Sequence, residues 1–101
     1  MKSKDRAYLR SIATNIEPIF QIGKGNISEN LIKQVDDALE ARELIKITVL
    51  ENCSVDAKEA AEILGKETNS VVVQVMGRKI TLYRRREKIQ KLIFMYKTLH
   101  K

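Results

Sequence analysis

Two glycines flank a lysine in Gly23-Lys24-Gly25-Asn26, between the apolar run Ile19-Phe20-Gln21-Ile22 and the amphipathic pattern that starts at Ile27-Ser28-Glu29. Glycine accepts backbone angles closed to other residues and lets another backbone come close. A helix start after it offers N–H groups without intrahelical partners and a partial positive charge. These are the parts of an anion site, and Lys24 adds a mobile charge. A phosphate is the ligand such a loop fits. The same spacing also makes a strand-to-helix turn that binds nothing. It does not make a P-loop, because the chain contains no G-x-x-x-x-G-K-[ST].

No reaction centre can be assembled from the remaining residues. His100, the one histidine, lies near the C-terminus, and no Ser/His/Asp or Cys/His set can be built around it. Asp36, Asp37 and Glu40 fall on the polar side of a helical pattern, whereas acid–base chemistry needs a shaped pocket. Cys53 is single, so it reads as a reduced structural thiol, and one Cys with one His makes no zinc set. The expectation is a protein that is not an enzyme, with no catalytic residue, no metal and no cofactor.

Charge supplies the second clue. The 101 residues carry a net charge of +6, but unevenly. Residues 1–26 carry +3, residues 27–77 carry −5, and residues 78–101 carry +8. Basicity gathered into a few segments points to a binding face for a polyanion. The cations concerned are Lys4, Arg6 and Arg10 near the start, then Arg78, Lys79, Arg84, Arg85 and Arg86. Aromatic residues are few, with no Trp, two Phe and three Tyr, so base stacking is weakly supplied. Tyr83, beside Arg84, is the best stacking position.

A 44% apolar chain of this length builds one domain with one core. Its apolar runs are too short to span a bilayer, and Met1–Arg6 has no apolar stretch behind its charges, so a soluble, cytoplasmic protein is expected. The elements that must hold the loop and the cations follow from periodicity. Residues 4–13 read as a helix with Tyr8, Leu9 and Ile12 on one face. Pro18 opens a first strand. Ser28, or alternatively Asn26, caps a second helix that buries Ile27, Leu31, Val35, Ala38 and Leu39. Residues 44–50 make a second strand rich in β-branched residues.

A third helix is predicted from about Val55 to Lys66, capped from Asn52–Ser54, burying Val55, Ala60, Ile63 and Leu64. Gly65 either ends it or weakens its last turn. Residues 70–76 are nearly all apolar and read as a central strand. Residues 79–83 form a fourth strand, with Ile80 and Leu82 inward and Thr81 and Tyr83 outward. Gly77-Arg78 joins these two as a type II′ hairpin. The order α-β-α-β-α-β-β predicts a mixed four-stranded sheet with three helices packed on it, an α/β (α+β two-layer) arrangement. Ile89, Leu92, Ile93, Tyr96 and Leu99 mark a further basic amphipathic helix over 87–101. That helix docks on the domain's own core, contacts a partner or the ribosome, or lies on a membrane surface.

The words Pro18-Ile19-Phe20-Gln21-Ile22-Gly23-Lys24-Gly25, Glu29-Asn30-Leu31-Ile32 and Ala38-Leu39-Glu40-Ala41-Arg42-Glu43-Leu44-Ile45-Lys46 resemble the CRM (chloroplast RNA splicing and ribosome maturation) domain. Val73-Gln74-Val75-Met76-Gly77-Arg78-Lys79-Ile80-Thr81-Leu82-Tyr83-Arg84 is similar to that family's closing hairpin. The resemblance divides the chain into a CRM-like domain over 1–86 and an extension over 87–101, like the stand-alone bacterial members. It implies RNA binding and a fold similar to the C-terminal domain of translation initiation factor 3. It also implies association with precursors of the large ribosomal subunit.

The family's loop, compared with the GXXG loop of KH domains, falls on Gly23-Lys24-Gly25-Asn26, with Asn26 where the family usually has Gly. Asn tolerates a left-handed backbone, so the turn survives. The expected function is phosphate-led RNA binding that assists ribosome assembly, by a monomer whose partners are rRNA and ribosomal proteins and not a membrane. The alternative is a protein-interaction module on a ribosomal or other protein.

Overall fold

The computed structural model describes residues 3–23 and 27–85, so the helix expected over 87–101 lies outside the described residues. The elements are α1 (Ser3–Ala13), β1 (Phe20–Ile22), α2 (Glu29–Arg42), β2 (Leu44–Val49), α3 (Ala57–Glu67), β3 (Val71–Met76) and β4 (Lys79–Tyr83). They form one mixed sheet in the order β1-β2-β4-β3. β1 runs parallel to β2, while β4 is antiparallel to both β2 and β3. This is the mixed four-stranded sheet with three helices that the element order predicts.

Strand alternation sends successive residues to opposite faces of the sheet. On one face Ile45, Ile47 and Val49 of β2 join Ile22, Ile80 and Leu82. They pack against Val35 and Leu39 of α2 and Ala57, Ala60, Ala61 and Leu64 of α3. The small alanines let α3 lie close to the strands. On the other face α1 settles over Leu44 and Val73 through Ala13, with Leu9, Ile16 and Tyr83 around them. The first core is a continuous apolar layer, and the second is a patch under one helix.

Local chemistry sets the boundaries. Ser28, not Asn26, caps α2: its Oγ accepts from the Leu31 N–H at 3.1 Å. α3 starts later than expected because Asp56 is its cap, with Oδ1 accepting from the Glu59 N–H at 2.8 Å. Asn52–Ser54 belong to the preceding loop, and Val55 and Ile63 are only half-buried, while Ala57 and Ala61 take core places. Gly65 lies inside the last turn of α3 and is buried there.

β3 is an edge strand, not a central one. Its valines serve both faces, because alternation sends Val72 to the larger core and Val73 toward α1, and the register shift that follows keeps Gln74, opposite Thr81, on the α1 side as well. Thr81 and Tyr83 also depart from expectation. They point away from the larger core as alternation requires, yet Thr81 is buried and Tyr83 half-buried, because α1 roofs that end of the sheet. The hairpin conforms: Gly77 has φ +60° and Arg78 does not share a positive φ, as a type II′ turn requires.

Candidate nucleic-acid interface

The glycine loop leaves the sheet where β1 ends. The Leu50 N–H donates to the Ile22 carbonyl at 2.8 Å, extending the parallel pairing to the mouth of the loop. A Cβ on Gly23 would stand 3.3 Å from Asn52 Oδ1 and 3.5 Å from Leu50 Cδ1. That contact is tight but meets only the end of the exposed Asn52 side chain, which can yield by a few tenths of an ångström, so packing narrows this position without requiring glycine. Its backbone does not use the left-handed region. Lys24, Gly25, Asn26 and Arg86 lie outside the described residues.

The cations named from the sequence separate into three groups. Lys4, Arg6 and Arg10 are exposed on α1. Arg6, Arg10 and Thr14 recur every four residues and so share one stripe of that helix. Lys79 is exposed on β4, opposite Thr48 of β2 and Met76 of β3. Arg85 is exposed just beyond β4. Among the described residues none of these five makes an ion pair or side-chain hydrogen bond.

Arg78, on the hairpin, reaches Glu51 at 3.2 Å in a solvent-exposed pair. Such pairs contribute at most about 1 kcal/mol, so Arg78 is readily drawn to another anion.

Arg84 is placed differently from the expectation. Its side chain is 16% exposed and its guanidinium bridges three parts of the fold. Nη1 donates to the Asp36 carboxylate and, at 2.8 Å, to the Thr68 carbonyl at the end of α3. Nη2 donates to the Asp36 carbonyl at 2.9 Å and lies 3.6 Å from Glu40 Oε2. Asp36 and Glu40, which look like a plain solvated helix face in the sequence, are its counter-charges. A planar fork held between two carboxylates and two carbonyls is occupied with joining α2, α3 and β4. The run Arg84-Arg85-Arg86 is thus not a uniform patch.

One cation was missed. Lys46 stands in the middle of β2 on the same face as Leu44, and so shares the side of the sheet that holds α1 and Lys79. The signal was the alternation of β2 itself: Ile45, Ile47 and Val49 face one way, Leu44, Lys46 and Thr48 the other. Read only as a β-branched run, the strand hid it.

Among the described residues no cluster of three or more His, Cys, Asp or Glu could hold a metal. No helix of these residues is long and apolar enough to cross a membrane. An opening of about 320 Å³ lies between the β2–α3 loop and the hairpin. It carries Glu51 and Asp56 against Arg78 alone.

A glycine-mouthed strand–helix turn and a cation-bearing sheet face on this topology define a small α/β binding domain. The CRS1/YhbY (CRM) domain family matches residues 1–84, and the chain belongs to that family. It is 49% identical over 84 residues to YqeI of Bacillus subtilis, named a "Probable RNA-binding protein", covering 83% of this chain and 88% of that one. It is 40% identical over 89 residues to a Methanocaldococcus jannaschii protein, MJ0652, named in the same way, covering 86% of this chain and 66% of the other. The solution structure of SAV1595 from Staphylococcus aureus, a hypothetical protein described as a candidate for RNA binding, superposes with a TM-score of 0.72. That pair shares 58% identity, covering 84% of this chain and 88% of that one.

Proposed function

We propose that this protein is an RNA-binding factor, not an enzyme, that grips the phosphate backbone of ribosomal RNA and assists assembly of the large subunit. The observation that carries the reading is the sorting of charge by face. α1 bears Lys4, Arg6 and Arg10 against Asp5 alone, and Lys46 and Lys79 stand on the same side. α2 and α3, on the opposite side, carry seven carboxylates against four cations. A polyanion meets attraction on one side and repulsion on the other. The relatives' names support RNA as the polyanion. The glycine loop, Gly23 to Asn26, opens at the end of the same sheet, and we place a second backbone contact there.

Filter binding to a ribosomal RNA fragment across a range of salt concentrations tests this reading. Log K falls steeply against log salt if phosphates lead the binding. A flat line contradicts it.

The acidic α2/α3 surface favours a second contact, with a basic ribosomal protein. Ribosome co-sedimentation that survives RNase treatment, with binding to rRNA-free ribosomal proteins, would show that contact to be primary.

A further inference from the structure

α1 covers only one end of its sheet face, and what it leaves uncovered is a groove with a consistent chemistry. Its lining comprises Arg10 and Thr14 of the α1 side, Lys46 and Thr81 of the floor, and Gln74, Met76 and Lys79 toward the hairpin, with Ala13 at the helix foot. Among the described residues three cations line it and no carboxylate does. None of the three has an intramolecular ion pair or side-chain hydrogen bond among the described residues.

Lys46 occupies the centre of a strand flanked on both sides by other strands, where a β-branched residue packs better and a charged one contributes nothing to the sheet. Thr14, Thr81 and Gln74 add neutral hydrogen-bonding groups, and Met76, 66% exposed, gives an apolar rim. The groove is small, about 70 Å³, and bounded by a helix on one flank. A space of this size takes a phosphate group and not a whole nucleotide or a duplex.

We infer that this groove is a second phosphate site, in which Arg10, Lys46 and Lys79 together hold the backbone of a single RNA strand. The inference rests on the RNA-binding reading above and deepens it. The same face continues from the groove through Lys79, Thr48 and Gln21, which align across β4, β2 and β1. Gln21 is two residues from Gly23. At about 3.3 Å per residue along a strand, the row lies within about 7 Å of the loop mouth. One strand can therefore run from the groove along this row toward Gly23, with Met76 against a ribose or base.

Fluorescence anisotropy of the full chain with a labelled oligouridine, a labelled RNA duplex and inorganic phosphate as competitor tests this. Lys46→Gln, Lys79→Gln and Arg10→Gln are each expected to weaken oligouridine binding about three- to tenfold and to flatten the salt slope by about 0.7. Lys46→Arg should retain binding, which separates charge from fold. Lys58→Gln and Lys66→Gln, equal charge losses on α3, should leave affinity within about twofold.

Unchanged affinity and slope in a folded Lys46→Gln protein would overturn the groove while leaving RNA binding intact. Tighter binding of the duplex than of oligouridine would overturn the single-strand assignment. Displacement of oligouridine by millimolar inorganic phosphate as effectively as by unlabelled RNA would show an ion site without a strand path, and would also overturn it. Absence of salt-dependent binding by the unaltered protein to any RNA would remove the functional reading itself.

Discussion

The two faces of one sheet hold their cations in opposite ways. On the α2/α3 face every inward position is apolar, and its arginine, Arg84, is surrounded by its own carboxylates. On the α1 face the core shrinks to Ala13, Leu44 and Val73, while Lys46, Lys79 and Arg10 stand without counter-charges among the described residues. The cation that joins the helices arrives with acids already beside it, whereas the cations we propose for a ligand have none among the described residues. Residue type does not separate the two roles, since arginine serves in both. The neighbours do.

This contrast can be broken by mutation, beginning with the cores. Leu64→Ala removes a fully buried side chain from the α2/α3 face and should cost about 3–4 kcal/mol in urea unfolding. Val73→Ala, in the small patch under α1, should cost about 1–2 kcal/mol. Equal costs would mean that α1 is as firmly integrated as the other helices.

Arg84→Ala comes next, at about 2–3 kcal/mol, because it strips charge-assisted hydrogen bonds from Asp36 and Thr68 and leaves Glu40 half-buried without its cation. Arg84→Lys should fail to restore the melting temperature, since an ammonium cannot span the same acceptors. A melting temperature unchanged in Arg84→Ala would return this residue to the binding surface. Asp56→Ala should lower stability by about 1 kcal/mol through loss of the α3 cap. The finest effect is in hydrogen exchange: α1 amides should exchange by a lower-energy opening than those of α2 and α3, because fewer buried contacts hold that helix.

Much of this fold was legible in the sequence. The helix starting after Ser28, the Gly77-Arg78 hairpin and the alternation of Ile80 and Leu82 are local signals, and local signals survive folding. The position of β3 was not legible, because an apolar run shows that both faces are covered without saying which strand lies at the edge. The ion pairs of Arg84 were not legible for a related reason: its partners are 44 and 48 residues earlier in the chain, and only the packing of β4 beside α2 brings them together. Lys46 was visible in the alternation of its strand, but its meaning depended on α1 stopping short of it. The glycine loop is legible as a motif, but the tight approach of Gly23 to Asn52 of the β2–α3 loop is a tertiary contact that no local pattern shows.

The central claim is that RNA lies on the α1 face and follows it to the glycine loop. Backbone amide NMR of the full chain titrated with a ribosomal RNA fragment tests this most directly. The account predicts that shifts gather at residues 6–14, 46–48, 74–79 and the turn that follows Ile22, with the outer surfaces of α2 and α3 quiet. Shifts concentrated on α2 and α3, with the α1 face silent, would contradict it.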